Sequence, residues 1–414
     1  MKKFIPGKSK IQYAGVCFED NEIEAVANVL KKGWLGLGKK AAEFESDFSN
    51  YLGVEETIVT NSGSSSNLIA VTALGLEEGS EIITPAVTFP TTLNPILQNN
   101  LIPVVIDVEL GSYNINVNLI EAAITPKTKA IMFMHALGNP ANMNIIMSIA
   151  RKYNLIVIED NCDALGAKIN DKFTGSIGHI STASFYAAHH MCMGGEGGAV
   201  CTSDQALALK IRSVRDWGRA CTCKKCVVIE DPNAQCRMRL NTSFSNLPKG
   251  YDNKYIYTNI GYNLKPTEMQ CAFGVEQLKR LPYFVEKRKS NFKTYFDFLI
   301  NYEDYLILPK WLPNTDPSWF CFPITVKNTA PFTRNDIIHF LEDRNIETRL
   351  IFAGNITRHP AYKNSKIKIM GDLKNSDIVM ENTFFIGVWP GLQEEELEYV
   401  MKSFKKFFDE RLKK

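Results

Sequence analysis

The residues best suited to chemistry lie in one run, Ser184-Phe185-Tyr186-Ala187-Ala188-His189-His190-Met191-Cys192-Met193-Gly194-Gly195-Glu196-Gly197-Gly198. An apolar strand pattern over 182–186 breaks there into a polar, glycine-dense loop and resumes as Ala199-Val200-Cys201. Glycine, with no side chain to clash, lets a backbone turn tightly or approach a ligand. A histidine in such a loop offers a proton acceptor near neutrality, although a loop histidine of no special role is the ordinary case. Upstream, Leu155-Ile156-Val157-Ile158 runs into Glu159-Asp160-Asn161-Cys162, a continuous apolar strand ending in carboxylates. That pattern marks the edge of a site in a parallel α/β sheet. A third group, Cys221, Cys223, Cys226 and Cys236, falls within sixteen residues. Three chemistries compete for it: a zinc knot, for which the single residue between Cys221 and Cys223 is poor spacing; an iron–sulfur site, which thiolates also serve; or free thiols without consequence.

Weaker signals surround these. Ile58-Val59-Thr60-Asn61-Ser62-Gly63-Ser64-Ser65-Ser66-Asn67 reads as a strand, a Gly/Ser turn and a helix start. The free amides of such a turn suit a phosphate, and the same pattern also describes a capped helix with no ligand. Phe89 follows a strand end, where an aromatic usually serves core or lid packing. Asp160 can be a solvated strand-end carboxylate or the partner of a cationic ring. His135 closes another strand, and core packing accounts for it as well as a site does. Arg349 and Arg358 frame a run that could clamp a diphosphate bidentately, or they can stand solvated on the surface.

The elements that must position these groups are legible. Asp20 to Lys32 predicts an amphipathic helix with an acidic start, a basic end and Gly33 to stop it. A second helix is expected around Ala41 to Tyr51. Buried strands are expected at Pro103 to Val108 and Ala130 to Met134, with a helix over Ile145 to Lys152. Strands alternating with helices from about 55 to 205 predict a mostly parallel sheet covered on both faces. From about residue 282 the pattern changes to long amphipathic segments and short strands, expected at Phe320 to Val326, Ile346 to Phe352 and Asn382 to Val388. The least regular stretch, 221–257, carries the cysteine group. The 414 residues allow a large and a small domain, and a net charge of +2 supplies no field for nucleic acid or an anionic membrane. No apolar run reaches membrane-span length, so the chain reads as cytoplasmic, where ten cysteines argue against structural disulfides.

The run Ser184-Phe185-Tyr186 followed three residues on by His189 and a glycine-rich turn resembles the sugar aminotransferases of fold type I, the aspartate-aminotransferase-like pyridoxal phosphate (PLP) enzymes. There the position of His189 holds the Schiff-base lysine. Histidine at this position resembles a narrower branch, the 3-dehydrases of nucleotide-linked 4-keto-6-deoxyhexoses, which use pyridoxamine phosphate (PMP). The likeness spans nearly the whole chain. It implies an α/β fold with a large cofactor-binding domain over 1–281, holding an insertion at about 221–257, and a small C-terminal α/β domain over 282–414. It places Gly63 and Ser64 at the cofactor phosphate, Phe89 on the pyridine ring, Asp160 at the ring nitrogen and Asp163 where aminotransferases carry a glutamine. Ser184 falls among the cofactor contacts, and Asn263 reaches the phosphate of a partner subunit, which implies a homodimer.

Because histidine cannot form the stable imine that lysine does, the resemblance implies noncovalent PMP, with His189 removing a proton so that the neighbouring sugar carbon loses its hydroxyl. His190 receives no role. In the cluster-bearing members of the branch a [2Fe-2S] centre draws one ligand from far upstream and the rest from a C-x-C pair and a later cysteine. That maps onto Cys162, Cys221, Cys223 and Cys236, with Cys226 a rival for the last place because twelve residues separate Cys223 from Cys236. The expected substrate is a CDP- or dTDP-linked 4-keto-6-deoxyhexose, and the expected electron source is a flavin/iron–sulfur reductase, or ferredoxin or flavodoxin. Two alternatives stand beside this: elimination without a cluster, as in GDP-4-keto-6-deoxymannose 3-dehydratase, and a sugar-nucleotide-binding protein that lost catalysis with its lysine.

Overall fold

The computed structural model describes residues 4–412 apart from 225, 232, 242 and 245. Seven strands come in chain order: β1 (Glu56–Thr60), β2 (Glu81–Pro85), β3 (Ile102–Ile106), β4 (Thr128–Met134), β5 (Ile156–Asp160), β6 (Ile180–Ser184) and β7 (Gly198–Thr202). With Lys368–Ile369 they form one eight-stranded sheet in the order β1, β7, β6, β5, β4, β2, β3, then Lys368–Ile369. The pairs β5·β6, β4·β5, β2·β4 and β2·β3 are parallel, whereas β7 runs antiparallel to both β6 and β1. The expected mostly parallel α/β sheet is therefore what forms, with one reversed strand placed by the short glycine-rich loop that joins β6 to β7.

Period-two alternation sorts each strand's apolar residues onto two faces. Ile82, Ala130, Met132, Ile158 and Val200 pack with Ile69, Ala70 and Ile211 from the helices Gly63–Leu74 and Gln205–Arg215. Their neighbours Ile83, Ile131, Phe133 and Val157 face the other way, onto Ile146 and Ile149 of Met143–Tyr153. Helices on both faces leave the strand ends as the open edge, where β5 ends with Asp160 opposite Thr182 and β6 runs two residues further to Ser184.

The predicted helix at 20–32 is observed as Asp20–Lys32, closed by Gly33 in the left-handed conformation. The second helix extends slightly past its expected ends, to Lys39–Leu52. A smaller four-stranded antiparallel sheet pairs Leu306–Ile307, Cys321–Val326, Thr383–Gly387 and Thr348–Arg349. The strand expected over Ile346 to Phe352 contracts to Thr348–Arg349 because Asn345 and Phe352 both take positive φ, which takes the backbone out of extension on either side. The 32-residue helix Glu268–Leu299 ties the two sheets. Its first half and middle pack Val275, Leu281 and Val285 near Phe185, and its second half stacks Phe292 on Trp319 at 3.9 Å. The stretch 221–257 carries a four-residue helix, Val227–Glu230, and a single 3-10 turn, Asn253–Tyr255, as its described regular structure. Among the described residues no helix is long and apolar enough to cross a membrane.

Candidate active site

Asp160 forms the floor. It is 3% exposed, and its Oδ2 accepts hydrogen bonds from Asn67 Nδ2 and Thr92 Oγ1, both at 2.8 Å. Its Oδ1 accepts from the Cys162 amide at 3.2 Å. Asn67 is itself oriented by Thr182, whose hydroxyl donates to Asn67 Oδ1 at 2.6 Å. Four segments thus fix one carboxylate, an arrangement a solvated strand-end aspartate would not have.

Glu159, one residue earlier, points to the other side of the sheet. It accepts from the Gly175 and Ile177 amides at 2.9 Å and pairs with His135 Nε2 at 2.9 Å, both side chains fully buried. Burial works to raise Glu159, but the His135 hydrogen bond and the Gly178 and Gly175 amides outweigh it and hold the carboxyl below its usual range. His135 Nδ1 accepts the Ala141 amide at 3.0 Å, so the ring proton is on Nε2, facing Glu159. His135 is therefore a structural residue beneath the platform.

The turn at Ser62 and Gly63 lies over this floor. Ser62 caps the helix Gly63–Leu74 by accepting from the Ser65 amide. A Cβ on Gly63 would fall 2.6 Å from Ser184 Cβ and 3.1 Å from Cys162 Sγ, and one on Gly198 would fall 2.4 Å from the Ser62 carbonyl. Glycine is needed at both places for that close approach. Ser184, Cys162 and Gly63 meet as a result, and the amides of the first helical turn open toward the same edge, where an anion is favoured. Phe89 ends the other wall with its ring 49% exposed at the start of Pro90–Gln98.

His189 sits on the loop after β6, whose entry is pinned by fully buried Phe185 packed edge-on between Phe44 and Phe48. Its side chain is 15% exposed, its Nδ1 lies 3.5 Å from Asp163 Oδ1, and its ring stands 5.4 Å from Phe320. Burial, and then the nearby Arg288 charge, pull His189 down to about 4, against a hydrogen bond with the Cys162 backbone that raises it. A neutral imidazole at neutral pH is ready to accept a proton. Asp163 moves the other way: burial and the Asp160 charge push it up to about 8, against Arg288 and the Leu137 amide. Leu137 reaches that position in a left-handed conformation at φ 58°. Asp163 therefore carries its proton at neutrality and can donate. His190 turns away and hydrogen-bonds the Ser318 carbonyl at 2.8 Å.

The remaining predicted residues lie apart from this constellation. Asn263 is exposed, and its Oδ1 accepts from Lys265 at 2.7 Å. Arg349 pairs with Glu347 and lies over the Tyr13 ring, while Arg358 pairs with Asp377 at 3.1 Å and Glu381 at 2.8 Å. Cys221, Cys223, Cys226 and Cys236 line one cavity of about 670 Å³, whereas Cys162 is not among its lining residues and lies partly buried beside Asp160 and Ser184. Among the described residues no three His, Cys, Asp or Glu side chains are gathered closely enough to hold a metal ion. The four cysteines mapped to a cluster are thus not assembled within one chain. Asn67, Thr92, Phe320 and Arg288 enter the site without having been singled out in the sequence. Asn67 alone had a signal, as the last residue of the Gly/Ser turn motif.

Residues 16–405 match the DegT/DnrJ/EryC1/StrS aminotransferase family. The lipopolysaccharide biosynthesis protein RfbH of Salmonella typhimurium is 45% identical over 415 residues, covering 98% of this chain and 94% of the relative. The dTDP-4-dehydro-2,6-dideoxy-D-glucose 3-dehydratase of Saccharopolyspora spinosa is 42% identical over 412 residues, covering 98% of this chain and 88% of the relative. Among solved structures, the E. coli GDP-4-keto-6-deoxy-D-mannose-3-dehydratase with bound hydrated PLP superposes with a TM-score of 0.84 at 28% identity, covering 95% of this chain and 98% of that one.

Proposed function

The chain belongs to the DegT/DnrJ/EryC1/StrS aminotransferase family, and from that premise we propose that it is a PMP-dependent 3-dehydratase of a nucleotide-linked 4-keto-6-deoxyhexose. The observation that carries this reading is the neutral, partly exposed His189 at the mouth of the Asp160 floor, where the resembled aminotransferases place an amine. The residues present suit the cofactor. The Gly63 and Ser64 amides would hold its phosphate, Phe89 would cover one face of its ring, and Asp160, already held by three donors, would face the ring nitrogen. When bound, PMP supplies an amine for the sugar ketone and a ring that accepts electrons.

The chain's own work is positional and acid–base. Asp160 keeps its place because Asn67, Thr92 and the Cys162 amide hold it before any ligand arrives. His189, with a neutral imidazole, would take up and hold the proton released in the site. Protonated Asp163, 3.5 Å from His189 Nδ1, would supply a donor beside that base. The relatives whose names give a substrate name dTDP- and GDP-linked sugars, which supports a nucleotide-linked sugar as the substrate, and CDP or dTDP is the nucleotide proposed for it. Arg349 and Arg358 would meet its diphosphate only by giving up their present carboxylates. Asn263, exposed in a single chain, would complete a partner's phosphate site in a homodimer.

A second reading completes the reaction reductively, with electrons from a flavin/iron–sulfur reductase or from ferredoxin or flavodoxin. What favours it is the cavity shared by Cys221, Cys223, Cys226 and Cys236. The rival without a cluster is the elimination catalysed by the GDP-sugar enzyme. Anaerobic purification with iron and sulfide analysis separates these two. Incubating the PMP-loaded enzyme with CDP-, dTDP- and GDP-linked 4-keto-6-deoxyhexoses tests the function itself: loss of the C-3 hydroxyl supports it, and transfer of an amino group from glutamate to the sugar defeats it.

A further inference from the structure

Arg288 is a cation buried without a carboxylate partner. It lies on the helix Glu268–Leu299 at 1% exposure, and among the described residues no carboxylate is within ion-pair distance of it. Its guanidinium spends its donors on backbone carbonyls: Nη1 on Phe320 at 2.9 Å, and Nη2 on His189 at 2.9 Å and Ala188 at 3.3 Å. Removing a guanidinium from water is costly, and an apolar side chain of similar volume would fill such a place more cheaply. The charge is retained for what it holds.

Two of its three contacts are on the loop that presents His189. The third is on Phe320, whose ring walls the same imidazole at 5.4 Å. One guanidinium therefore fixes both the backbone that carries the base and the backbone that carries the base's neighbour. The helix that carries it is itself immobilised, with Leu281, Val285 and Phe292 buried around Arg288. Phe320 leads directly into Cys321–Val326, so the clamp also joins the loop to the four-stranded sheet.

We propose that Arg288 is a positioning residue for the dehydration: by clamping the Ala188 and His189 carbonyls it sets the height and tilt of the His189 ring, and through Phe320 it links that setting to the smaller sheet. This rests on the reading of His189 as the base. Full-length, PMP-loaded wild type, R288K and R288M are compared in steady-state dehydration, in PMP affinity, and in the rate at which diethyl pyrocarbonate modifies His189 without substrate, read by peptide mass spectrometry. R288M is expected to lose on the order of 10²-fold in kcat, the cost of about 1 Å of misplacement, with KM and PMP affinity little changed and His189 modified faster. R288K, which keeps the charge and can reach one or two carbonyls, regains part of the loss. If R288M is unstable, R288K carries the comparison. A kcat for R288M close to wild type, or His189 modification at the wild-type rate in both variants, overturns the clamp. A wild type inactive on every keto-sugar, with His189 still modified faster in R288M, defeats the dehydratase reading and leaves the clamp standing.

Discussion

The Asp160 platform and the cysteine-bearing segment 221–257 are built in opposite ways. At the platform, every polar group is held from a distance in sequence: Asp160 by Asn67 and Thr92, Glu159 by His135, His189 by Arg288. In the segment most hydrogen bonds are local, such as Ala234 to Asp231 and Arg239 to Cys236, and most residues are exposed. Its stem is firmer. Trp217, left-handed at φ 62°, lies under Lys265, whose Nζ is 3.2 Å from the ring centroid, with the Arg219 guanidinium 4.4 Å away. Lys224 reaches back to Glu56 at 2.7 Å. The platform is thus organised before a ligand arrives, as a site that must stabilise one geometry requires. A segment tied mainly to itself has few long-range contacts to oppose rearrangement.

The comparison is broken most directly at the platform. His189→Asn keeps the size and polarity of the side chain but removes the base, and turnover should fall by on the order of 10²–10⁴-fold while PMP still binds. Steady-state rates with a cofactor titration check this, and an unchanged rate would end the assignment of His189. Next in size is Glu159→Gln. It leaves His135 Nε2–H and the Gly175, Ile177 and Gly178 amides facing a neutral amide with one acceptor oxygen in place of two, and a buried donor left unsatisfied costs about 1–3 kcal/mol. Denaturant unfolding should show that loss, and a variant as stable as wild type would mean the pair is not what holds the β5 end.

At the stem, burial first of all lowers Lys265 to about 8, with Asp216 opposing and Arg215 and Arg219 reinforcing. Between about 8 and the ordinary 10.5 the unfolded chain binds a proton that the folded chain does not, so stability should rise with pH through that window. Lys265→Met should flatten the rise, and a wild-type stability curve that already falls from pH 8 would contradict it. The smallest effect belongs to the segment. Exposed Cys223→Ser should change stability by within about 0.5 kcal/mol, the usual range for a surface position. If the reductive reading holds, the same variant loses iron and sulfide from the anaerobically purified protein, so stability and metal content separate in one substitution.

The amino-acid sequence by itself determined the order of strands and helices, because apolar periodicity states which face of each element is buried. It also placed Asp160 at the end of β5 and His189 on the loop after β6, since an apolar run that stops at polar residues must stop at a sheet edge. What it left open was partnership across space. Nothing near Arg288, in the run Glu286-Lys287-Arg288-Lys289, distinguishes a buried clamp from a solvated helix face. His135 and Asp163 have the same ambiguity, resolved only when the turn after β4 brings His135 onto Glu159 and burial protonates Asp163 beside Asp160. Cys162 and the later cysteines share a residue type and a suggestive spacing, yet the fold puts Cys162 under the Gly63 turn and the others around a separate cavity. Local pattern reports burial, which is a property of one element. Hydrogen-bond partners and protonation states depend on how distant elements come together, and that only the tertiary structure decided.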